Sequence, residues 1–449
     1  MSIAHGLSRF RLPVLLVWAV CVPLASAEEL PFLIGGIQVN EPDHRHWISS
    51  LRASGMNTVE TTVYAFQGNW DSDHLWWNKE EAAVLAEIRA AKSDGLQVVL
   101  VLRLALDHAF EKNRFLWHGQ VIPESPQKID SWFTRYTRFV LKWAALAEAE
   151  GVDVLAIGSE MKELVATVPL GRVAQIKRYH GFRYYQKFLR KRALRFADRL
   201  SERHYWTRGY PNFETLQSFL EARHEANMAW ARKAHLRKGG GSLRRLNSRR
   251  QQVLAHWREL IAATREVFSG KLTYAANFDH YDQVAFWSEL DFIGINSYFS
   301  LRPHLDDQPG REELLVRFTE AWREIFGRID AFRRERGLED APVLFTEIGY
   351  TFRRYSTVEP WNHDGFTVVG WKGHDRKLVV WGEQPVDRGE RELAFRALYA
   401  VHRAQPSRLR GVLYWKLSTN AKHESIEPFV LHVGQDSVDP AVAVLAGFE

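Results

Sequence analysis

The chain has 449 residues, of which 46% are hydrophobic and 25% charged, an ordinary globular composition that excludes a disordered, collagen-like or disulfide-scaffold protein. Its formal charge of +6 is unevenly placed: residues 171–250 carry 21 Lys+Arg against 5 Asp+Glu, whereas residues 28–170 and 251–449 together carry 37 against 49. An acidic body with one basic segment lacks the even basicity expected of a nucleic-acid binder.

Arg9 and Arg11 precede an apolar run from Leu12 to Leu24, followed by Ala25-Ser26-Ala27. This is the order of a cleavable secretory signal peptide over residues 1–27. The 13 residues of that run, interrupted by Pro13 and Pro23, fall short of the ~20 that span a bilayer. The only cysteine, Cys21, lies inside it, so the mature chain is expected to have no thiolate chemistry. No later segment reads as membrane-spanning. The expected location is secreted or periplasmic.

Beyond residue 27, short apolar runs alternate with amphipathic stretches. Strands are predicted at Phe32–Val39, Asn57–Tyr64, Leu96–Leu106, Val152–Gly158, Lys271–Asn277, Asp291–Tyr298, Pro342–Ile348 and Arg410–Leu417. Helices are predicted at His46–Ala53, Lys79–Asp94, Ile129–Glu150, Val253–Phe268, Val284–Glu289, Glu312–Arg336 and Glu390–Ala404, with Gly55, Gly95 and Gly151 as stops. Strands apolar on consecutive positions are buried on both faces, as parallel strands covered by helices must be. An open doubly wound sheet would show a glycine-rich phosphate loop after its first strand, but Gly35-Gly36 falls within that strand and no G-x-G-x-x-G follows. The expected fold is a (β/α)8 TIM barrel, its halves at residues 28–170 and 251–449, with a basic helical insertion at 171–250 after strand four.

Barrel chemistry sits at the C-terminal strand ends. Strand four ends in Ser159-Glu160 and strand seven in Thr346-Glu347. Two carboxyls facing one mouth suit glycoside hydrolysis, where one protonates the leaving oxygen and the other attacks or activates water. A lone glutamate at such a place more often binds a helix end or an arginine. Two together favour catalysis.

These strand ends, with Tyr414-Trp415 on the last strand, resemble the retaining glycoside hydrolases of clan A. The Ile157-Gly158-Ser159-Glu160 and Glu347-Ile348-Gly349-Tyr350 pairing is most similar to glycoside hydrolase family 113, whose known members degrade mannan. The resemblance covers about residues 32–165 and 253–419. It implies Glu160 as acid/base and Glu347 as nucleophile, with carboxyls roughly 5–5.5 Å apart. Those roles call for a raised pKa at Glu160 and an ionised Glu347. Ser159 stands where many clan members place an asparagine that binds the sugar 2-hydroxyl.

Further candidate substrate contacts are Tyr298, which can hold the nucleophile ionised through its hydroxyl, and Trp415, an apolar floor under the reacting sugar. Arg103 puts a permanent charge into the apolar run Val98–Leu106 and so needs a carboxylate, with Glu347 and Glu160 the candidates. Among 17 tryptophans, Trp70, Trp76, Trp77, Trp117, Trp361, Trp371 and Trp381 fall in loops after strands two, three and seven. Exposed there, an indole offers a plate for the C–H face of a sugar; taken singly, each packs a loop. Trp70 and Trp361 are the leading two, and Asn277, His280, Asp107 and His108 are weaker hydroxyl contacts. No metal-binding spacing and no phosphate loop occurs, so neither metal nor cofactor is implied.

The function expected is a secreted retaining β-glycoside hydrolase acting on a mannan-like or other β-linked oligo- or polysaccharide. The alternative is a non-catalytic or weakly active carbohydrate-binding barrel at the cell envelope. The basic segment is expected to form helices over 184–199 and 213–238 and a turn at Gly239-Gly240-Gly241. Its partner would be the acidic body, anionic lipid or an acidic polysaccharide; the bland alternative is a solvated hairpin. No nucleic-acid-binding motif is present.

Overall fold

The computed structural model describes residues 30–77, 81–110, 113, 118–123, 125–165, 241–302, 309–363, 366–369, 377–404, 408–434 and 437–448. From Phe32 onward these belong to one unit. Its eight principal strands are β1 (Leu33–Gln38), β2 (Thr58–Gln67), β3 (Gln97–Leu106), β4 (Val154–Ser159), β5 (Lys271–Asn277), β6 (Ile293–Asn296), β7 (Val343–Ile348) and β8 (Leu409–Ser418). Each pairs in parallel with its neighbour in the sequence, and β1 pairs with both β2 and β8, which closes the sheet on itself. A closed barrel leaves no unpaired strand edge.

The helices that cover it include α1 (His44–Ala53), α2 (Glu81–Ser93), α3 (Pro126–Ala149), α4 (Gly241–Arg265), α5 (Arg311–Arg336), α6 (Arg388–Ala404) and α7 (Pro440–Ala446). Local chemistry sets their ends. The carboxylate of Asp43 accepts the His46 amide, Ser125 caps α3 with Pro126 in its first turn, and Gly151 takes φ +67 just beyond α3. Gly35 has a different role. A Cβ there would lie 1.6 Å from the Thr58 carbonyl oxygen, so a side chain would part β1 from β2. Trp47, Trp132, Trp257, Trp287 and Trp322 are fully buried in the core. An indole hides ~150–250 Å², worth about 4–6 kcal/mol of gross apolar transfer.

All eight predicted strands are present, with ends shifted by up to three residues. Four elements differ. The helix expected at Val253–Phe268 begins twelve residues earlier, at Gly241, because Leu254, Trp257 and Leu260 continue a face already helical through Arg249, whose Nη2 donates to the Pro123 carbonyl. The segment Val284–Glu289 forms no α-helix: short 3-10 turns at Tyr281–Gln283 and Trp287–Glu289 flank Val284, which is extended. A hairpin of 366–369 with 377–380 and the C-terminal α7 were not anticipated. Within the basic segment, residues 171–240 and the helices expected there lie outside the described residues.

Candidate active site

Glu347 is the fifth residue of β7, buried among donors from the neighbouring strands. Its register partner on β6 is Asn296, whose Nδ2 donates to Glu347 Oε1 at 2.9 Å. Thr346 fixes that amide by donating its hydroxyl to Asn296 Oδ1 at 2.8 Å. Tyr298, just past β6, donates to Glu347 Oε2 at 2.8 Å. Arg103, from β3, bonds Oε1 through Nη2. The expected Tyr298 and Arg103 contacts are therefore both made, and Asn296 adds a third donor.

Complete burial raises the Glu347 carboxyl above its ordinary value, and the charge of Glu160 adds to this; Arg103 and Tyr298 act in the opposite sense. Arg103, Tyr298 and Asn296 all place hydrogens on its oxygens, so the geometry favours the carboxylate form. Burial and the Glu347 charge lift the Tyr298 phenol well above its ordinary value, keeping it a donor.

Glu160 follows β4 directly, at φ +57, where an L-residue is uncommon. Its amide donates to the Ala275 carbonyl at 2.8 Å, and the next amide, of Met161, donates to the Tyr274 hydroxyl at 2.7 Å. These two β5 contacts hold the left-handed turn. Glu160 Oε2 lies 3.0 Å from His118 Nε2, on a one-turn segment (His118–Gln120) of the β3–α3 loop. Burial alone would raise this carboxyl, but the His118 hydrogen bond and charge, with the charge of Arg103, outweigh it and set Glu160 below its ordinary value. That reverses the expectation for the free protein, and the cause is an imidazole that sequence spacing does not reveal. Arg103 acts on both carboxyls, as does Asn296, which joins the two strand ends into one cluster.

Beneath them Glu60, on β2, is fully buried, with Oε1 3.6 Å from Arg103 Nη2 and, among the described residues, no hydrogen bond to either oxygen. Burial, opposed by Arg103 and reinforced by Glu347, pushes it up to about 8. Trp415, opposite Ile37 of β1, is half-buried, with the Arg103 guanidinium carbon 4.9 Å from its ring centroid.

Other candidates fall elsewhere. Ser159 is fully buried and its Oγ has no partner among the described residues, so it does not present an open hydroxyl to a sugar. Asn277 ends β5 half-buried, with no partner for Oδ1 among the described residues. Trp70 is a correction: it is buried in the main core, its amide bonded to Asn113 Oδ1 at 2.9 Å, and it offers no open plate. Trp361 does, 38% exposed and stacked on Phe278 at 5.1 Å. Trp76 stacks on Phe66, Trp77 tilts against Phe139, and Trp381 is buried, while Trp117 and Trp371 lie outside the described residues. Glu60, Asn296 and His118 were missed. Glu60 had a usable signal, a charge inside a strand, as for Arg103. Asn296 had another, two residues before Tyr298 at a strand end. Among the described residues no three His, Cys, Asp or Glu side chains are grouped to hold a metal ion, and no helix is long and apolar enough to cross a membrane.

A closed parallel barrel with paired glutamates at the ends of its fourth and seventh strands defines a clan A glycoside hydrolase. The family profile of glycoside hydrolase family 113 matches residues 38–175 and 187–370, a range that takes in much of the basic segment. The chain belongs to that family. Its fold is similar to the GH113 β-mannanase AaManA of Alicyclobacillus acidocaldarius, solved with ManMIm, at TM-score 0.55 and 15% identity over 94% of this chain and 98% of that one. It is also similar to two GH113 β-1,4-mannanase structures, one of them a complex, each at TM-score 0.55 and 16% identity over 93% of this chain and 99% of that one. No curated protein sequence matches it.

Proposed function

We propose that the chain is a secreted, retaining β-glycoside hydrolase that cleaves a β-linked oligo- or polysaccharide of the mannan type. The observation that carries this reading is the Glu347 carboxylate, buried at a strand end beneath three donors and coupled through Arg103 and Asn296 to Glu160. Support for the sugar comes from two β-mannanases of similar fold, and for secretion from the signal-like residues 1–27.

Among the described residues, Glu347 Oε1 already accepts from two donors, while Oε2 accepts from Tyr298 alone. Oε2 therefore keeps a lone pair and is the attacking atom. It bonds to the anomeric carbon as the C1–O bond to the leaving sugar breaks, and Glu160 gives its proton to the departing oxygen. Water then attacks C1, passing a proton back to Glu160 and freeing Glu347. His118 Nε2 lies 3.0 Å from Glu160 Oε2, within reach to pass a proton to and from the acid as it turns over.

The reading is tested by reducing-sugar release from mannan, glucan, xylan and anionic polysaccharides by the wild type and by Glu347→Ala. Release from a β-linked polymer by the wild type alone supports it. Equal release by both proteins contradicts it.

A further inference from the structure

The floor of the site holds a cation that double displacement does not use. Lys416 follows Trp415 on β8, half-buried, with its Nζ 3.9 Å from the centroid of the Trp415 ring. Among the described residues it makes no hydrogen bond and no ion pair. Of the acids that act on it, Glu347 bonds Arg103, Glu60 keeps its proton near neutrality, and Glu427 acts without making an ion pair with it. Lys416 therefore lies without a contact counter-charge beside a second cation, Arg103, on the same indole.

That arrangement is costly in the free protein. Burial and the charge of Arg103 both lower the Lys416 pKa; Glu427, Glu347 and Glu60 relieve this only at a distance. A neutral hydroxyl arriving at Trp415 would accept a hydrogen bond but leave the repulsion in place. An anionic group would remove both costs, because an ammonium taken out of water gains most from an opposite charge at contact.

We propose that Lys416 determines specificity, and that the sugar lying on Trp415 carries a carboxylate, as in a β-linked uronate. The inference rests on the glycosidase reading and names the substrate class of that same site. With a mannan-type ring the substrate is the C6-oxidised sugar, a β-mannuronate. The sequence supplies an independent sign: the chain that leaves the Glu160 strand end carries 21 Lys+Arg against 5 Asp+Glu over residues 171–250. A polyanionic glycan would be drawn toward such a charge, and a neutral mannan would not.

The test uses matched aryl glycosides that share a leaving group and differ only at C6: 4-nitrophenyl β-mannoside against β-mannosiduronate, and β-glucoside against β-glucosiduronate. The wild type should prefer one uronide to its neutral partner by at least tenfold in kcat/KM. Lys416→Met should lower that ratio at least tenfold, about 1.4 kcal/mol, with the loss carried by KM. Lys416→Arg should restore part of it, since the charge is kept. Neutral glycosides preferred by the wild type, or both members of a pair weakened equally in Lys416→Met, would overturn the proposal and leave the glycosidase reading intact. Should the wild type cleave none of the four, binding decides the role of Lys416. Calorimetric titration of Glu160→Gln with β-1,4-linked mannuronate and mannose trisaccharides should then show tighter, salt-sensitive binding of the acidic one, abolished by adding Lys416→Met. Equal affinity for the two trisaccharides would overturn it.

Discussion

Replacing Arg103 by methionine keeps the apolar stem and most of the volume but removes the cation that bonds Glu347 and lies 3.6 Å from Glu60. Leaving a buried ionic partner uncompensated costs about 3–5 kcal/mol. The carboxyls can limit that cost by taking up protons, so it should depend on pH. Both acids are already raised above their ordinary values by burial, and loss of the guanidinium raises them further. For a carboxyl raised in the folded state, the protonated form is favoured by folding. The associated stability is present below the unfolded value and is lost as pH rises through the folded one. The variant should therefore be close to wild type at pH 4–5 and markedly less stable at pH 8. Activity follows the same charge. Tyr298 and Asn296 remain on Glu347, so a loss of about 3 kcal/mol of charge stabilisation moves its ionisation up by roughly two pKa units. The assay is kcat/KM from pH 4 to 9 with an aryl glycoside, together with thermal melts at pH 5 and 8. An acid limb that stays in place, or a stability loss equal at both pH values, would refute the role given to Arg103.

Three further outcomes follow from the same geometry. Glu160→Ala should lose at least a hundredfold in hydrolysis of substrates with poor leaving groups, and much less with dinitrophenyl glycosides, whose departure needs no proton; equal losses on both would remove Glu160 from the acid role. His118→Leu deletes a charged hydrogen bond of about 1.5–3 kcal/mol, so the alkaline limb of kcat/KM should move up by one to two units, read from the pH profile; a downward move would contradict the His118–Glu160 pairing. Glu87, buried behind β2 and accepting from Trp47 Nε1 at 3.1 Å and Thr61 Oγ1 at 2.7 Å, is pushed up to about 7 by burial. Glu87→Gln should therefore gain stability over wild type as pH rises from about 4.5 to 8, by up to about 3 kcal/mol, measured by urea unfolding; a pH-independent difference would speak against it.

The barrel was legible because its strands are apolar on consecutive positions, and only a sheet buried on both faces explains that pattern. Glu160 and Glu347 were legible for the same reason, as charges where such runs stop. Arg103 stood out as a charge within a run; Glu60 carries the same signal in a strand of threonines, where a charge is less conspicuous. His118 was not legible. Its place beside Glu160 depends on the fold of a loop 42 residues away in the chain, and the pKa order of the two glutamates depends on it in turn. The tryptophans divide on similar grounds. Composition puts both Trp70 and Trp361 in polar loops, but the amide of Trp70 is tied to Asn113 and its ring joins the core, whereas Trp361 lies over Phe278 with one side in water. Helix Gly241–Arg265 began earlier than periodicity suggested because its first turns are rich in arginine and give little apolar period to read.

The central claim is that Glu347 attacks the sugar. A 2-deoxy-2-fluoro-β-mannosyl fluoride slows both steps but leaves the first faster, so the covalent intermediate accumulates and can be weighed. Peptide mass spectrometry of the inactivated protein should place one fluorosugar on Glu347 and none in Glu347→Ala. A wild type that turns over β-glycosides while the label falls on another residue, or that releases product of inverted configuration, would contradict the assignment.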